Sequence, residues 1–245
     1  MAIIERVEGL EAIVKVGGTA LPEYDDLNGD DDVEQVESLL ALASKNRFVD
    51  ARMIRHVVKY VEAISDAEFE VVFTKRQSFQ HHSHHIAFQL ENDNHAFGLT
   101  HEPEECREKE WNYSCEHRAF LDGEKNWCRQ HFKFGPLRLV KPAASTSNPH
   151  DPYIDPHRDL GVLRISVHHM QFTNAIELPF GHVQSVTDSI NEEALKGQTV
   201  THIVHYGDLE PSKEPKDIPM DVYQDPLQRP FAIFEFRYLS KGDLF

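Results

Sequence analysis

The segment Phe231-Ala-Ile-Phe-Glu-Phe-Arg-Tyr238, close to the end of the 245-residue chain, is the strongest β-strand pattern in the sequence. Aromatic and β-branched residues dominate it, and these side chains pack well on a pleated sheet. A second long strand is predicted over 163–169, where apolar residues alternate with polar ones and His169 falls on the apolar side. Further strands are predicted at 10–16, 56–64, 68–74, 85–91 and 198–206.

Many short strands, proline-rich loops and only one convincing helix predict a mainly β fold, an antiparallel β-sandwich or a jelly-roll-like barrel. The helix lies in an insertion at 28–50, and the long loops lie at 141–159 and 208–230. Residues 101–118 are charged and irregular by pattern. We expect a single domain over 1–245, because each half alone contains few strands; the alternative is that 141–159 links two domains.

The charge balance restricts the class of partner. The chain carries 25 Lys+Arg against 41 Asp+Glu, a net charge of −16, which disfavours nucleic acid and anionic membranes. No apolar run is long enough to span a bilayer, and charges come too early for a secretory signal. Three cysteines without a framework pattern favour a reducing, cytoplasmic location. A homo-oligomer is compatible with this composition.

Histidine is the most conspicuous residue type, with sixteen copies in the chain. His81, His82, His84 and His85 form a cluster in which pairs of imidazoles share a strand face. Such a cluster can hold Zn²⁺ when a third ligand completes it. The alternative is a solvated turn before the next strand, and we favour this interpretation because no spaced third ligand is evident.

A second group of metal-ligating residue types consists of Cys106, Cys115, His117, Cys128 and His131. Its spacings do not match closed zinc sites, which place two cysteines two to four residues apart. Buried or unreactive thiols are the better interpretation. We therefore predict neither a metal site nor a cofactor.

His169 and His202 are the candidate catalytic residues. Each lies on the apolar face of a predicted strand, where most histidines are hydrogen-bonded core residues. If the sheets enclose a cavity, these two histidines can exchange a proton with a bound ligand. The candidate substrate-binding residues around such a cavity are Phe88, Trp111, Trp127 and Tyr206.

Four segments together resemble a family of fungal proteins described only as a domain of unknown function. They are Gly17-Gly-Thr-Ala-Leu-Pro-Glu-Tyr-Asp, Lys59-Tyr-Val-Glu-Ala-Ile-Ser-Asp-Ala-Glu-Phe-Glu-Val, Glu193-Ala-Leu-Lys-Gly-Gln-Thr-Val-Thr-His and Phe231-Ala-Ile-Phe-Glu-Phe-Arg-Tyr-Leu-Ser-Lys. The 28–50 insertion and the His81–His85 cluster depart from the family pattern, and the chain stops at Phe245, where family members usually run on. The resemblance implies a β-rich intracellular protein of fungal origin, and it implies no activity because one fold carries many functions.

Three functional hypotheses follow. The first is a cofactor-free enzyme that acts on a small apolar substrate by cyclisation or pericyclic addition, since orientation alone lowers such barriers. In size and absence of motifs the chain is similar to the hetero-Diels–Alderases of fungal tropolone–sesquiterpenoid biosynthesis. The second is a binding or scaffold module that works through its acidic surface. The third is a metal-dependent enzyme that uses the His81–His85 cluster.

Overall fold

The computed structural model describes residues 2–3, 7–25, 54–93, 95–122, 124, 126–140, 160–175, 189–191, 200–213, 220–226 and 228–243. Within these ranges the chain is mostly strand. The strands are β1 (Ala2–Ile3), β2 (Leu10–Val16), β3 (Thr19–Ala20), β4 (Glu23–Asp25), β5 (Arg55–Glu62), β6 (Phe69–Lys75), β7 (His85–Asn92), β8 (His95–His101), β9 (Trp111–Cys115), β10 (His117–Leu121), β11 (Trp127–Pro136), β12 (Arg138–Val140), β13 (Val162–Ala175), β14 (Ser189–Asn191), β15 (His202–Tyr206), β16 (Glu210–Pro211), β17 (Met220–Tyr223) and β18 (Ala232–Leu239). Short 3₁₀ turns occupy Glu104–Cys106 and Lys241–Asp243. No helix in these ranges is long and apolar enough to cross a membrane.

The largest sheet has seven strands. Six follow the order β4-β5-β18-β13-β7-β8, and β17 pairs with the far end of β13. Strand β18, the segment with the strongest sequence pattern, lies inside this sheet, antiparallel to β13 and parallel to β5. Its inward side chains alternate along the strand, so one face of the sheet is apolar.

The opposite layer consists of two smaller sheets. One contains β1-β2-β6-β9 with β3 against β2, and the other contains β10-β11-β15 with β16 against β11. A bridge between Glu68 and Lys133 joins β6 to β11. Just after it, the ring of Phe69 stacks on Phe134 at 4.2 Å. The two smaller sheets therefore act as one layer.

Aromatic side chains fill the space between the layers. Phe73 of β6 lies 4.7 Å from Phe88 and 6.2 Å from Phe234, measured between ring centroids. Phe134 of β11 lies 5.2 Å from Tyr238 of β18. Phe73, Phe134 and Tyr238 are each at most 1% exposed. Burial of such side chains stabilises the sandwich by roughly 2–3 kcal/mol each.

A buried carboxylate, Asp93, ties the layers together at one end. Its oxygens accept hydrogen bonds from the Tyr238 hydroxyl, the Val204 N–H and the Gly161 N–H. Its own N–H donates to the Val162 carbonyl at 3.2 Å. Tyr238 and Val162 belong to the large sheet, whereas Val204 belongs to β15 of the opposite layer. Burial raises the pKa of Asp93 to about 6, although the hydrogen bonds oppose that shift.

The predicted fold class is confirmed as a mainly β, sandwich-like structure of antiparallel sheets. The alternative of a closed barrel is not confirmed, because no sheet of the described ranges closes on itself. The prediction that 101–118 is irregular is wrong, since β9 and the start of β10 lie there. Alternation within β9 covers only five residues, Trp111 to Cys115, and the charged segments on both sides of it hid the strand. The helix of the 28–50 insertion and the 141–159 loop fall outside the described residues.

We expect Asp93→Asn to destabilise the protein by about 2–4 kcal/mol. Three donors converge on the two carboxylate oxygens, and an asparagine offers only one acceptor oxygen while its NH₂ group faces a donor. Urea unfolding at pH 7 measures the loss. The matched control is Asp66→Asn, since Asp66 also has a positive φ (63°) but its side chain is 79% exposed. Equal stability of the two variants would contradict the role of Asp93.

Candidate functional site

His169, the first predicted catalytic residue, lies on β13 beside the segment that precedes β7. Its ring stacks on Phe231 at a centroid distance of 3.9 Å and an interplanar angle of 8°. Its Nδ1 lies 3.1 Å from Ser83 Oγ, and the ring of His82 meets it edge-on at 6.3 Å. The ring of His169 is therefore held in one orientation by contacts on its face and at one nitrogen.

The proton of Ser83 determines the tautomer of His169. The Ser83 hydroxyl donates its only proton to the His85 carbonyl at 2.7 Å, so Ser83 Oγ has to accept from His169. Nδ1 consequently carries the ring proton, and Nε2 presents its lone pair. Within the described part of the chain, Nε2 makes no hydrogen bond. Burial, with smaller effects of His82 and His81, lowers the pKa of His169 to about 4, so the ring is neutral near pH 7.

The His81–His85 cluster lies next to His169, a proximity that no spacing along the chain indicates. His82 and His84 are exposed, as a surface turn predicts. The prediction of a solvated turn is wrong for the other two, because His85 is 1% exposed and the His81 side chain is 7% exposed. Alternate positions turn inward where the segment enters β7, which places two imidazoles in the interior.

Beneath the cluster lies a buried ion pair that sequence analysis missed. Lys75 Nζ is 2.8 Å from Glu102 Oε1, and their side chains are 1% and 0% exposed. Lys75 also donates to the carbonyls of Cys106 and Arg107, at 2.9 and 2.7 Å. His81 Nε2 lies 3.1 Å from the same Arg107 carbonyl. Lys75 thus ties β6 to the 102–107 segment that covers this end of the sandwich.

We expect Lys75→Met to destabilise the protein by about 3–5 kcal/mol, because it leaves the Glu102 carboxylate buried without its counter-charge. The double variant Lys75→Met/Glu102→Gln should recover part of the loss, since no buried charge remains. Urea unfolding of both variants measures the difference. Arg129→Met is the control: the Arg129–Glu210 pair is 39% and 45% exposed and should contribute at most about 1 kcal/mol. A double variant no more stable than Lys75→Met would contradict this account.

His202, the second predicted catalytic residue, is 6% exposed and makes two hydrogen bonds through its ring. Its Nε2 lies 2.8 Å from the hydroxyl of Ser65, and its Nδ1 lies 3.0 Å from Thr201 Oγ1. Thr201 Oγ1 in turn accepts the N–H of Ser240 at 2.9 Å. Burial lowers the pKa of His202, and the nearby Asp243 carboxylate opposes that effect.

The two candidate histidines do not share a site. Gly161 comes just before β13, and a Cβ added there would lie 3.9 Å from the His202 carbonyl oxygen, whereas His169 lies eight residues further along the chain. At about 3.3 Å per residue, roughly 26 Å of strand separates the two positions. Each histidine instead pairs with a serine, His169 with Ser83 and His202 with Ser65.

The four candidate substrate-binding residues are also dispersed. Phe88 and Trp111 meet in the core, with ring centroids 5.8 Å apart. Tyr206 lies on β15, where the Arg118 guanidinium covers its ring at 3.5 Å, and burial raises its pKa to about 12. Trp127 begins β11, opposite Leu121 of β10. Only Phe88 and Trp111 are therefore brought together.

Two of the three cysteines are poorly suited to act as nucleophiles. All three are free thiols. Burial raises the pKa of Cys115 to about 12 and also raises the pKa of Cys128, so both stay protonated near pH 7. No three His, Cys, Asp or Glu side chains in the described ranges are grouped so that they could hold a metal ion.

The buried imidazoles lead us to predict that acid destabilises the protein. His168, 4% exposed and edge-on to Tyr223, has its pKa lowered by burial from 6.5 to about 4. The folded state then binds fewer protons than the unfolded state, so the stability contributed by neutral His168 is complete above pH 6.5 and is lost as pH falls towards 4. Between pH 7 and 4.5 the wild-type protein should lose about 2–3 kcal/mol more than His168→Phe. Identical pH dependence in urea unfolding would contradict the burial effect.

The chain matches a known family of proteins. A family model described as "Domain of unknown function (DUF7918)" matches residues 9–245. No curated protein matches the chain, and no solved structure does.

Proposed function

This chain belongs to the family described as Domain of unknown function (DUF7918), and we propose that it is a cofactor-free enzyme acting on a small apolar molecule at His169. The observation that carries the proposal is the fixed tautomer of His169. Ser83 holds the proton on Nδ1 and Phe231 holds the plane of the ring, which leaves Nε2 as an oriented acceptor. An acceptor that needs no rearrangement before reaction stabilises a transition state most effectively.

The surroundings of His169 favour an apolar substrate. Phe231 covers one face of the imidazole, and Phe79 continues the aromatic surface at 6.3 Å from Phe231. Lys75 of the Lys75–Glu102 ion pair supports this region through charge-assisted hydrogen bonds to the carbonyls of Cys106 and Arg107. An apolar substrate would meet the edge of this aromatic group and place one of its O–H or acidic C–H groups against Nε2.

The proton arrangement also selects the reaction class. Ser83 cannot be a nucleophile activated by His169, because its proton is committed to the His85 carbonyl. Chemistry at this pair therefore consists of proton transfer or hydrogen bonding to the substrate. Both suit tautomerisation followed by cyclisation, or a pericyclic addition of hetero-Diels–Alder type in fungal secondary metabolism.

A direct test compares His169→Phe with the wild-type protein on a panel of conjugated dienes, enones and o-hydroxybenzyl alcohols, with products followed by liquid chromatography and mass spectrometry. Phenylalanine keeps the stack on Phe231 but removes the acceptor, so we expect turnover to fall about 100-fold. His168→Phe is the matched control, because it changes the adjacent residue on the other face of β13 and should retain wild-type turnover. Equal rates in wild type and His169→Phe, or no acceleration on any substrate, would contradict the proposal and favour the binding-module hypothesis.

The pH profile gives an independent check. Since the pKa of His169 is lowered to about 4, the acceptor is present at all pH values well above 4. We expect kcat/KM to be constant between pH 6 and 8 and to fall in acid with a midpoint near pH 4, as protonation removes the Nε2 lone pair. A midpoint near 6.5, the value of a solvated histidine, would show that the reacting group is not this ring.

A further inference from the structure

We propose that Ser65 and His202 form a second reactive centre, in which Ser65 is a nucleophile for small acyl esters. This centre lies near the start of β13 and apart from His169, and it does not depend on the function proposed for His169. The chemistry assigned to it is acyl transfer, with water as the final acceptor.

Hydrogen bonding distinguishes this serine from Ser83. The Ser65 hydroxyl contacts His202 Nε2 at 2.8 Å and makes no other side-chain hydrogen bond in the described structure. Its proton is therefore available to His202, whereas the proton of Ser83 is donated to a carbonyl. A serine becomes a nucleophile only when an adjacent base can take its proton.

The other ring nitrogen of His202, Nδ1, supports the role of this histidine as the base for Ser65. His202 Nδ1 faces Thr201 Oγ1 at 3.0 Å, and the N–H of Ser240 holds that oxygen in place. When Nδ1–H donates to Thr201, Nε2 is the free acceptor that Ser65 requires. Asp243, joined to the Ser240 hydroxyl, adds a negative charge that favours the imidazolium formed in the reaction.

The exposure of Ser65 and the position of its backbone N–H suit a small ester substrate. Ser65 is exposed in the turn after β5, and the neighbouring Ile64 is 43% exposed, which offers an apolar contact for an acyl or aryl group. The backbone N–H of Ser65 makes no hydrogen bond to any described residue. It can therefore donate to the oxygen of a tetrahedral intermediate, as the N–H of a nucleophilic serine does in serine proteases.

Ser65 Oγ attacks the ester carbonyl carbon and its proton passes to His202 Nε2; the C–O bond to the alcohol then breaks and the alcohol leaves with that proton. Water activated by His202 subsequently attacks the acyl-serine, which releases the carboxylic acid and restores the Ser65 hydroxyl.

The test uses the full-length protein and a biotinylated fluorophosphonate, which forms an Oγ–P bond with loss of fluoride. We expect the native protein to be labelled at Ser65, located by peptide mass spectrometry, and the heat-denatured protein to remain unlabelled. Ser65→Ala should abolish labelling. Ser114→Ala is the control, because Ser114 is an exposed serine bonded to Glu70 rather than to a histidine, and it should be labelled at the wild-type rate.

The role of His202 is tested by His202→Gln, for which labelling should slow by about 100-fold or more. Since a change at a buried residue can unfold the chain, Thr201→Ser and Thr201→Val provide a milder pair. Serine retains the hydroxyl that orients His202 and should label at close to the wild-type rate, whereas valine should label at least about 10-fold more slowly. No label on Ser65 of the native protein, or wild-type labelling rates in both His202→Gln and Thr201→Val, would overturn the proposal.

Discussion

The sandwich depends on one buried carboxylate at the end where its layers meet. Asp93 accepts hydrogen bonds from β15 in one layer and from Tyr238 in the other, and it also holds the backbone at Gly161, where β13 begins. A carboxylate suits this position because two oxygens can satisfy three donors, which no neutral side chain of this size does. Its burial is costly, and the convergent donors offset that cost. The positions of β13 and β15, and therefore of both candidate histidines, follow from this junction.

The partner that receives the serine proton distinguishes two serine–histidine pairs whose O···N distances are similar. Ser83 and Ser65 each lie about 3 Å from a ring nitrogen, yet Ser83 gives its proton to a backbone carbonyl and Ser65 does not. His169 is consequently a hydrogen-bond donor to its serine, with the other nitrogen free for a ligand. His202 is bonded at both nitrogens and can act only through Ser65. The same two residue types are therefore proposed for different chemistry, hydrogen-bond catalysis at His169 and nucleophilic attack by Ser65.

Alternating patterns predicted most strands because each has one apolar face. The predicted strand at 10–16 coincides with β2, and the strand predicted from Phe231 onward is β18. The same patterns indicated that His169 shares a face with apolar residues. They could not show that His168, on the polar side of β13, is buried. The ring that covers it belongs to Tyr223, which lies in a distant segment of the chain. The strand β9 escaped prediction because its alternating run is only five residues long and charged segments flank it on both sides.

By itself the sequence determined the β-rich character of the chain, the positions of its main strands and the choice of His169 and His202, because these depend on local alternation and residue type. Only the tertiary structure decided what those histidines touch. The pairing of His169 with Ser83, of His202 with Ser65 and of Lys75 with Glu102 spans 86, 137 and 27 positions along the chain (102 − 75 for the last). Such contacts arise from how strands are ordered in the sheets, and no local pattern encodes that order.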